Sequence, residues 1–526
     1  MTRDTSGMTR RHFVQYGAGA VAAIAAADLV TACASAPKPG LAGPMQNGIG
    51  YFARFGVDEK LIRETLAAAM SRGADFADIF FQHRVASNLV LEDGAVNRAM
   101  SRVELGVGVR VVKGDQTGYG YTEELTLDSL RSAAGTAAAV ADGPARKLPV
   151  SFRAPGSLPS RYALKVGWDA IRPEQKLPLL EGVAKRASAA DARVKKATVY
   201  FLDEYGAILV ADSNGRVVED LQPMTRLVLQ VVAEQNGKRE SNSYNLAARG
   251  GFDFYTPERL DRLVAQALER TMILFEASQP PAGELPVVLA AGSSGILLHE
   301  AIGHGMEADF NRKGTSIYSD KLNKPIAKPF INIVDDGTQE FARGAINVDD
   351  EGNVPGVTNL VQDGILTTYL HDSISAKHFG LKPTGNGRRE SYKFAPMPRM
   401  RSTYMLNGPH THDEIVASVK KGIYCYNFSN GQVNIGAGDF SFFVKNGTLI
   451  EDGKLTRPLK DVNLIGNGPK VLELVDMVAD DLKIDEGGWT CGKDGQSVPV
   501  SQGMPTVRVA SITVGGTVGQ GGKSYG

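Results

Sequence analysis

Gly295 to Phe310 reads GILLHEAIGHGMEADF. Ile296, Leu297, Leu298, Ala301 and Ile302 leave so little polar surface that a helix formed here is a buried one. Into it are set His299, Glu300 and His304. Burying an ionised carboxylate without a partner costs a sum comparable with the stability of a whole domain, so a Glu between two His on an apolar helix calls for a cation. A divalent metal is the simplest one. The spacing is HExxxH, one residue longer than the HExxH pattern that sets two His on one helical face at i and i+4. At about 100° per residue, i to i+5 leaves the second imidazole about 140° round an ideal helix. Both rings meet one ion only if the helix is distorted between them, and Gly303 and Gly305 flank His304 where a helix bulges or kinks. The competing reading makes His299 and His304 core histidines paired with local carboxylates. Two His are also one ligand short, since a catalytic zinc site takes three protein ligands and a water.

Working outward, Leu285 to Ala290 reads as a short strand feeding this helix. Beyond Phe310 the chain turns to short strands and Gly/Pro turns, among them Phe330 to Asp335, Ile365 to Leu370, Gln432 to Ala437, Phe440 to Val444 and Thr506 to Val514. Such even spacing predicts a mainly β domain, barrel or sandwich, over 283–514, followed by a glycine-rich tail, 515–526. Upstream, the Gln279-Pro280-Pro281-Ala282-Gly283 stretch marks a boundary.

Before it, 57–282 reads as an α+β domain in which one pattern occurs twice. A helix over Asp58 to Ser71 leads into strands at Ala77 to Val85, Ser87 to Leu91, Val103 to Val112 and Thr117 to Thr122. A helix then opens at Thr126. The second unit repeats this from Pro173 to Ala189, through strands at Lys196 to Leu202, Ala207 to Asp212, Val217 to Leu221 and Thr225 to Glu234, to a helix opening at Thr256. Each closing helix has Thr as N-cap and an acid two residues on. The expectation is two repeated layers, each an antiparallel sheet with helices on one side. His83, the one histidine of this region, reads as a strand residue outside the chemistry.

The first residues are not fold. Thr9-Arg10-Arg11-His12-Phe13 precedes an Ala/Gly/Val-rich run from Gly17 to Ala27, the layout of an export signal of twin-arginine type over 1–32. Val30-Thr31-Ala32-Cys33 resembles a lipobox, with Cys33 as the lipidated first residue of an exported chain anchored to a membrane by that lipid alone, the outer membrane in a Gram-negative cell. Asp28 leaves the apolar run too short to span a bilayer. Residues 33–56, rich in Ala, Pro and Gly, read as a linker. The whole chain of 526 residues is 43% hydrophobic and 22% charged, with zero formal net charge. That is an ordinary soluble composition, and it argues against a nucleic-acid binder driven by a basic face.

The cysteines are Cys33, Cys425 and Cys491. With Cys33 spent on lipid, Cys425 and Cys491 form an even pair that an oxidising compartment would join. Cys491 also sits in Thr490-Cys491-Gly492-Lys493-Asp494-Gly495, a turn-rich stretch with a cation that favours thiolate, and a thiolate would complete a His-His-Cys zinc site with one open position.

Taken together, HEAIGHGMEADF (His299 to Phe310), DDEG (Asp349 to Gly352), PTGNGRRESY (Pro383 to Tyr392), PMPRM (Pro396 to Met400), CGKDGQSVPV (Cys491 to Val500) and ITVGGT (Ile512 to Thr517) resemble the TldD/PmbA family of zinc metallopeptidases, its TldD branch in particular. These motifs cover most of the C-terminal half; the N-terminal half matches in layout. The resemblance implies Zn2+ held by His299, His304 and Cys491. It also implies a dimer, of like or homologous subunits, that encloses a cavity and binds substrate as an extended strand. The export and lipid signal departs from the familiar cytoplasmic members.

Mechanism follows from these residues. Glu300, beside a ligand, takes the proton of the attacking water and delivers it to the leaving amine. Arg388, Arg389, His371 and Tyr392 are candidates for the oxyanion, each equally readable as structural. The expected activity is hydrolysis of unfolded peptides, because unfolding a globule takes about 5–15 kcal/mol and the chain shows no GxxxxGK[ST] loop for ATP. The alternative is a non-catalytic partner subunit of a TldD/PmbA-type complex. Glu300 speaks against it, because a closed structural site has no need of a Glu beside its ligand.

Overall fold

The structure, a computed structural model, describes residues 50–149, 151–153, 157–434 and 436–516. The leader with Cys33, most of the linker and most of the tail lie outside the described residues.

The first half forms one six-stranded antiparallel sheet in the order β3-β2-β1-β4-β5-β6. Its strands are β1 (Phe76–Glu92), β2 (Ala95–Lys113), β3 (Gln116–Thr122), β4 (Val194–Asp212), β5 (Val217–Gln235) and β6 (Lys238–Ala248). The two repeats expected as separate layers are therefore merged: β1 pairs with β4 antiparallel from Asp78↔Asp212 to Glu92↔Thr198. Ala77 to Val85 and Ser87 to Leu91 are one strand, as are the two pairs of segments expected in β4 and β5. The residues between them, Ala86, Asp203 to Gly206 and Gln222 to Met224, only interrupt the hydrophobic alternation, because a strand paired on both sides keeps its ladder through them.

Helices Glu59–Ala69 and Leu127–Ala138 cover one end of one face, where Ile62, Leu66, Leu130 and Ala134 pack on Ile79, Phe81, Val109 and Leu209. Helices Pro173–Ala190 and Pro257–Met272 cover the other end of the same face, over Leu89, Val199, Phe201 and Leu229. Asp58, Thr126 and Thr256 cap their helices by accepting main-chain N–H bonds. His83 lies in β1, its Nδ1 2.7 Å from the Tyr51 hydroxyl.

The alternate residues of the sheet turn to the other face, where Phe80, Ile208, Val210 and Val218 pack against Val348 and Tyr392 of the C-terminal half. A Cβ on Gly106 would overlap the Tyr392 ring, so glycine is what lets the two halves approach there. Buried charges join them as well: Arg110 pairs with Asp78 and, at 2.7 Å, with Glu351.

Two β assemblies build the second half. In the first, Gly283–Leu289, Lys421–Val433, Asp439–Glu451, Lys454–Asn467 and Val507–Gly516 pair in a ring that closes when Lys454–Asn467 meets Val507–Gly516, giving a five-stranded barrel. The last strand runs to Gly516, past the end expected at 514. The second is an open sheet that includes Ile333–Asp336, Val357–Gln362, Ser402–Met405 and Gln496–Met504, the last paired with the short strand Trp489–Lys493. The segment from Gly295 packs in the core these two share, with Leu298, Ala301 and Met306 against residues such as Met400, Phe442 and Leu472.

Candidate metal centre

An α turn, Gly295–Leu298, gives way at His299 to a π turn over His299–Gly303, followed by a 3-10 turn at His304–Met306. The main-chain N–H of His304 donates to the carbonyl of His299, an i to i+5 bond. One wide turn therefore spans the interval between the two histidines, which a regular α-helix would leave on different faces. Their rings stand 5.1 Å apart, edge to face at 84°.

Gly303 does not serve this by an unusual backbone, since its φ is −62° and its ψ −45°. Its missing Cβ leaves room for the Met400 sulfur, and that of Gly305 leaves room for the Tyr318 ring. A third glycine, Gly468, packs against the carbonyl oxygen of Ala301 within the π turn; a Cβ there would overlap it.

Cys491 arrives from the Trp489–Lys493 strand, its Sγ 3.4 Å from His304 Nε2. Ligand atoms of His299, His304 and Cys491 all lie within 4.8 Å of one another, and all three residues are buried. Cys491 and Cys425 are both free, so no disulfide joins them. Among the described residues, neither ring nitrogen of His299 has a hydrogen-bond partner. Two orphaned nitrogens on a buried ring are expensive unless something else takes a lone pair, and a metal ion would. The donor set fits zinc by its chemistry, two imidazoles and a thiolate.

Around these ligands stands a shell of charge. Glu307 Oε2 lies 3.0 Å from His304 Nδ1, which leaves Nε2 facing the sulfur, the arrangement a metal-binding histidine needs. Lys493 Nζ lies 3.1 Å from the same Glu307 oxygen and donates to Asp309 at 2.7 Å and to the Pro398 carbonyl at 3.0 Å. Burial pushes the Glu307 carboxyl up, but Lys493 and His304 outweigh it and hold the group down at about 2. Burial likewise raises the Cys491 thiol, yet His304 and His299 beside it hold it well below the ordinary thiol range. His304, which burial alone would depress, is held well above its ordinary value by Glu307 and Cys491. The sulfur thus favours the thiolate form, the form a metal takes. Its polar neighbours are the two imidazoles, while Lys493, the cation read from the sequence, is spent on Glu307 and Asp309.

Glu300 Oε2 is 3.8 Å from His304 Nε2, and the side chain is 20% exposed where His304 is 3%. It borders the cluster from the wetter side. The oxyanion candidates each have partners of their own. Arg388 donates to the carbonyls of Met400 (2.7 Å) and Pro499 (2.8 Å), Arg389 to that of Asp350 (2.9 Å), and the Tyr392 hydroxyl to Glu123 (2.8 Å). His371 packs between the rings of Tyr369 and Phe379, and burial lowers it to about 4. Sequence reasoning passed over Glu307, although it stands three residues after His304, within reach along a helix. It also missed Arg399, whose Nη2 donates to the Cys491 carbonyl at 2.5 Å.

Known proteins match this chain along most of its length. A family model described as the PmbA/TldA metallopeptidase C-terminal domain matches residues 282–516, and models of domain 1 and the central domain of that family match 77–141 and 167–275. The chain is 41% identical over 454 residues to a metalloprotease TldD homolog of Haemophilus influenzae, covering 85% of this chain and 94% of that protein. A zinc metalloprotease TldD homolog of Saccharolobus solfataricus is 28% identical over 449 residues, 85% of this chain and 98% of the other. In fold it is similar to the crystal structure of TldE from Thermococcus kodakarensis, with a TM-score of 0.69 at 18% identity, over 87% of this chain and 99% of that one.

Proposed function

The chain belongs to the TldD/PmbA family of metallopeptidases, and on that premise we propose that it is a zinc peptidase acting on unfolded peptides through His299, His304, Cys491 and Glu300. The observation that carries this reading is the convergence of three buried ligand atoms beside a partly exposed carboxylate. When bound, zinc lowers the pKa of a water toward about 7 and polarises a carbonyl. The protein supplies the rest. Glu307 fixes the orientation of His304, Arg399 holds the main chain at Cys491, and the apolar packing of Leu298, Ile302 and Met306 excludes bulk water behind the site. Glu300 accepts the proton of the attacking water on its carboxylate and passes it to the departing amine.

Selection for unfolded chains follows from the strand that carries Cys491. Among the described residues Trp489–Lys493 pairs with a strand on one side only, so its other edge can take an extended peptide by main-chain hydrogen bonds indifferent to sequence. A folded domain would first have to unfold, at about 5–15 kcal/mol. The test offers one polypeptide in its folded form and destabilised by mutation. The destabilised form should be cut and the folded form spared; equal rates, without spontaneous unfolding, would refute conformational selection.

A further inference from the structure

Next to the Cys491 strand the protein buries more positive charge than it neutralises. A cavity of about 200 Å³ lies between the helix-free face of the N-terminal sheet and the hairpin that carries Cys491. Thr490, which precedes Cys491, and Val498, its cross-strand partner, both line it. Thr490 and Ser497 are exposed and form its rim, whereas Arg249, Arg343 and Arg388 are buried in its wall.

The lining carries five arginines against three acids. Arg84 is paired with Glu204 at 2.5 Å, and Arg389 lies 3.5 Å from Asp78. Asp350 accepts the Arg389 main-chain N–H at 2.7 Å and lies within electrostatic reach of Arg388 and Arg249, and Glu390 accepts the Ser497 main-chain N–H at 2.6 Å. Arg249, Arg343 and Arg388 form no ion pair among the described residues. Their bonds go to main-chain carbonyls: Arg249 Nε to Arg343 at 3.1 Å, Arg343 Nη2 to Trp489 at 3.3 Å, and Arg388 to Met400 and Pro499. Arg343 Nε is buried with no acceptor among the described residues. Burial first, then repulsion from Arg226 and Arg249, holds the Arg343 guanidinium down at about 9. A desolvated cluster of like charges with spare donors costs stability unless an anion completes it.

We propose that this cavity receives a carboxylate of the bound peptide, either its C-terminal carboxylate or an acidic side chain, held by Arg249 and Arg343 beside the strand that carries Cys491. Guanidinium suits this ligand because its planar fork matches a carboxylate. The inference rests on the peptidase reading: a peptide lying along Trp489–Lys493 would run from Cys491 toward Thr490 and the cavity rim.

The test uses the full, zinc-loaded chain carrying Glu300→Gln, so that peptides are bound and not consumed, with cleavage by the unmodified chain followed in parallel. Three N-terminally labelled alanine pentapeptides are titrated by fluorescence anisotropy: the free acid, its C-terminal amide, and an amide with one internal Glu. At least one charged peptide should bind about tenfold or more tightly than the plain amide, the size of a charge-assisted hydrogen bond, and the one that gains identifies the source. Arg343→Gln and Arg249→Gln should each shrink that preference, and Arg343→Lys should keep more of it than Arg343→Gln. Equal Kd for all three peptides overturns the proposal, and needs no arginine variant to fold. A preference unchanged in both Gln variants overturns its assignment to this cavity. If the unmodified chain cuts none of the peptides while the preference persists, the peptidase reading fails and the carboxylate site stands. If it cuts them with equal Kd values, the reverse holds.

Discussion

Glu307→Gln removes a charge and leaves the shape. In the structure one carboxylate oxygen of Glu307 serves both His304 Nδ1, at 3.0 Å, and Lys493, at 3.1 Å, with the residue wholly buried. Burial opposes its ionisation and these two cations overcome it, taking the group from 4.5 to about 2, which corresponds to about 3 kcal/mol in favour of the charged form. The sign follows from a depressed value: this contribution is fully present above an unfolded pKa near 4.5 and is lost as the pH falls toward 2. Gln lacks it at every pH. The amide oxygen can still face His304 Nδ1, so the ring keeps its orientation but loses the anion that makes it a stronger donor. Zinc affinity should then fall about 10- to 100-fold, the usual effect of losing an outer partner of a metal-binding histidine. Lys493 keeps Asp309 and the Pro398 carbonyl, so the fold should persist. The assay is competition with a chromophoric chelator at neutral pH, with circular dichroism confirming native structure. An affinity equal to that of the unmodified chain would refute the reasoning.

Cys491 should react with iodoacetamide near neutral pH only after zinc is chelated, while Cys425, whose thiol burial raises, stays unmodified in both states; mass spectrometry of the alkylated peptides decides. Reaction of Cys491 at equal rates with and without chelator would contradict its place as a ligand. Gly468→Ala should cost about 1–3 kcal/mol by forcing a methyl into the Ala301 carbonyl, and should weaken zinc binding because the π turn must move. Denaturant unfolding and the same chelator competition measure both, and a variant as stable as the parent would show that the turn is not so tightly packed.

Much of the chain is legible in the sequence because local signals fix it. Thr126 and Thr256 announce their helices by cap chemistry, and three barrel strands are legible in part at Leu285 to Ala290, Phe440 to Val444 and Thr506 to Val514; Lys454–Asn467 has no counterpart in the sequence reading, and Lys421–Val433 ends where Gln432 to Ala437 reads as a strand. The merging of the two N-terminal units is not legible, since the β1 to β4 pairing joins residues more than a hundred positions apart and leaves no mark on either strand alone. At the site, the HExxxH spacing calls for a distortion between His299 and His304, and the π turn has that span. The glycines of that segment are needed for a different reason from the one local sequence suggests, because what they admit are Met400 and Tyr318, distant in the chain. Lys493 reads as a cation near a thiol until tertiary structure shows it engaged by Glu307 and Asp309.

The central claim is that Glu300 is the proton carrier of a zinc site whose ligands are His299, His304 and Cys491. Glu300→Gln keeps the size of the side chain and removes its ability to accept a proton, while leaving all three ligands in place. The direct measurement is zinc content per chain by mass spectrometry alongside turnover of a quenched peptide library, on the variant and the parent together. The account predicts an unchanged zinc content with turnover lower by about 10²–10⁴-fold; unchanged zinc with turnover at the parent rate would contradict it.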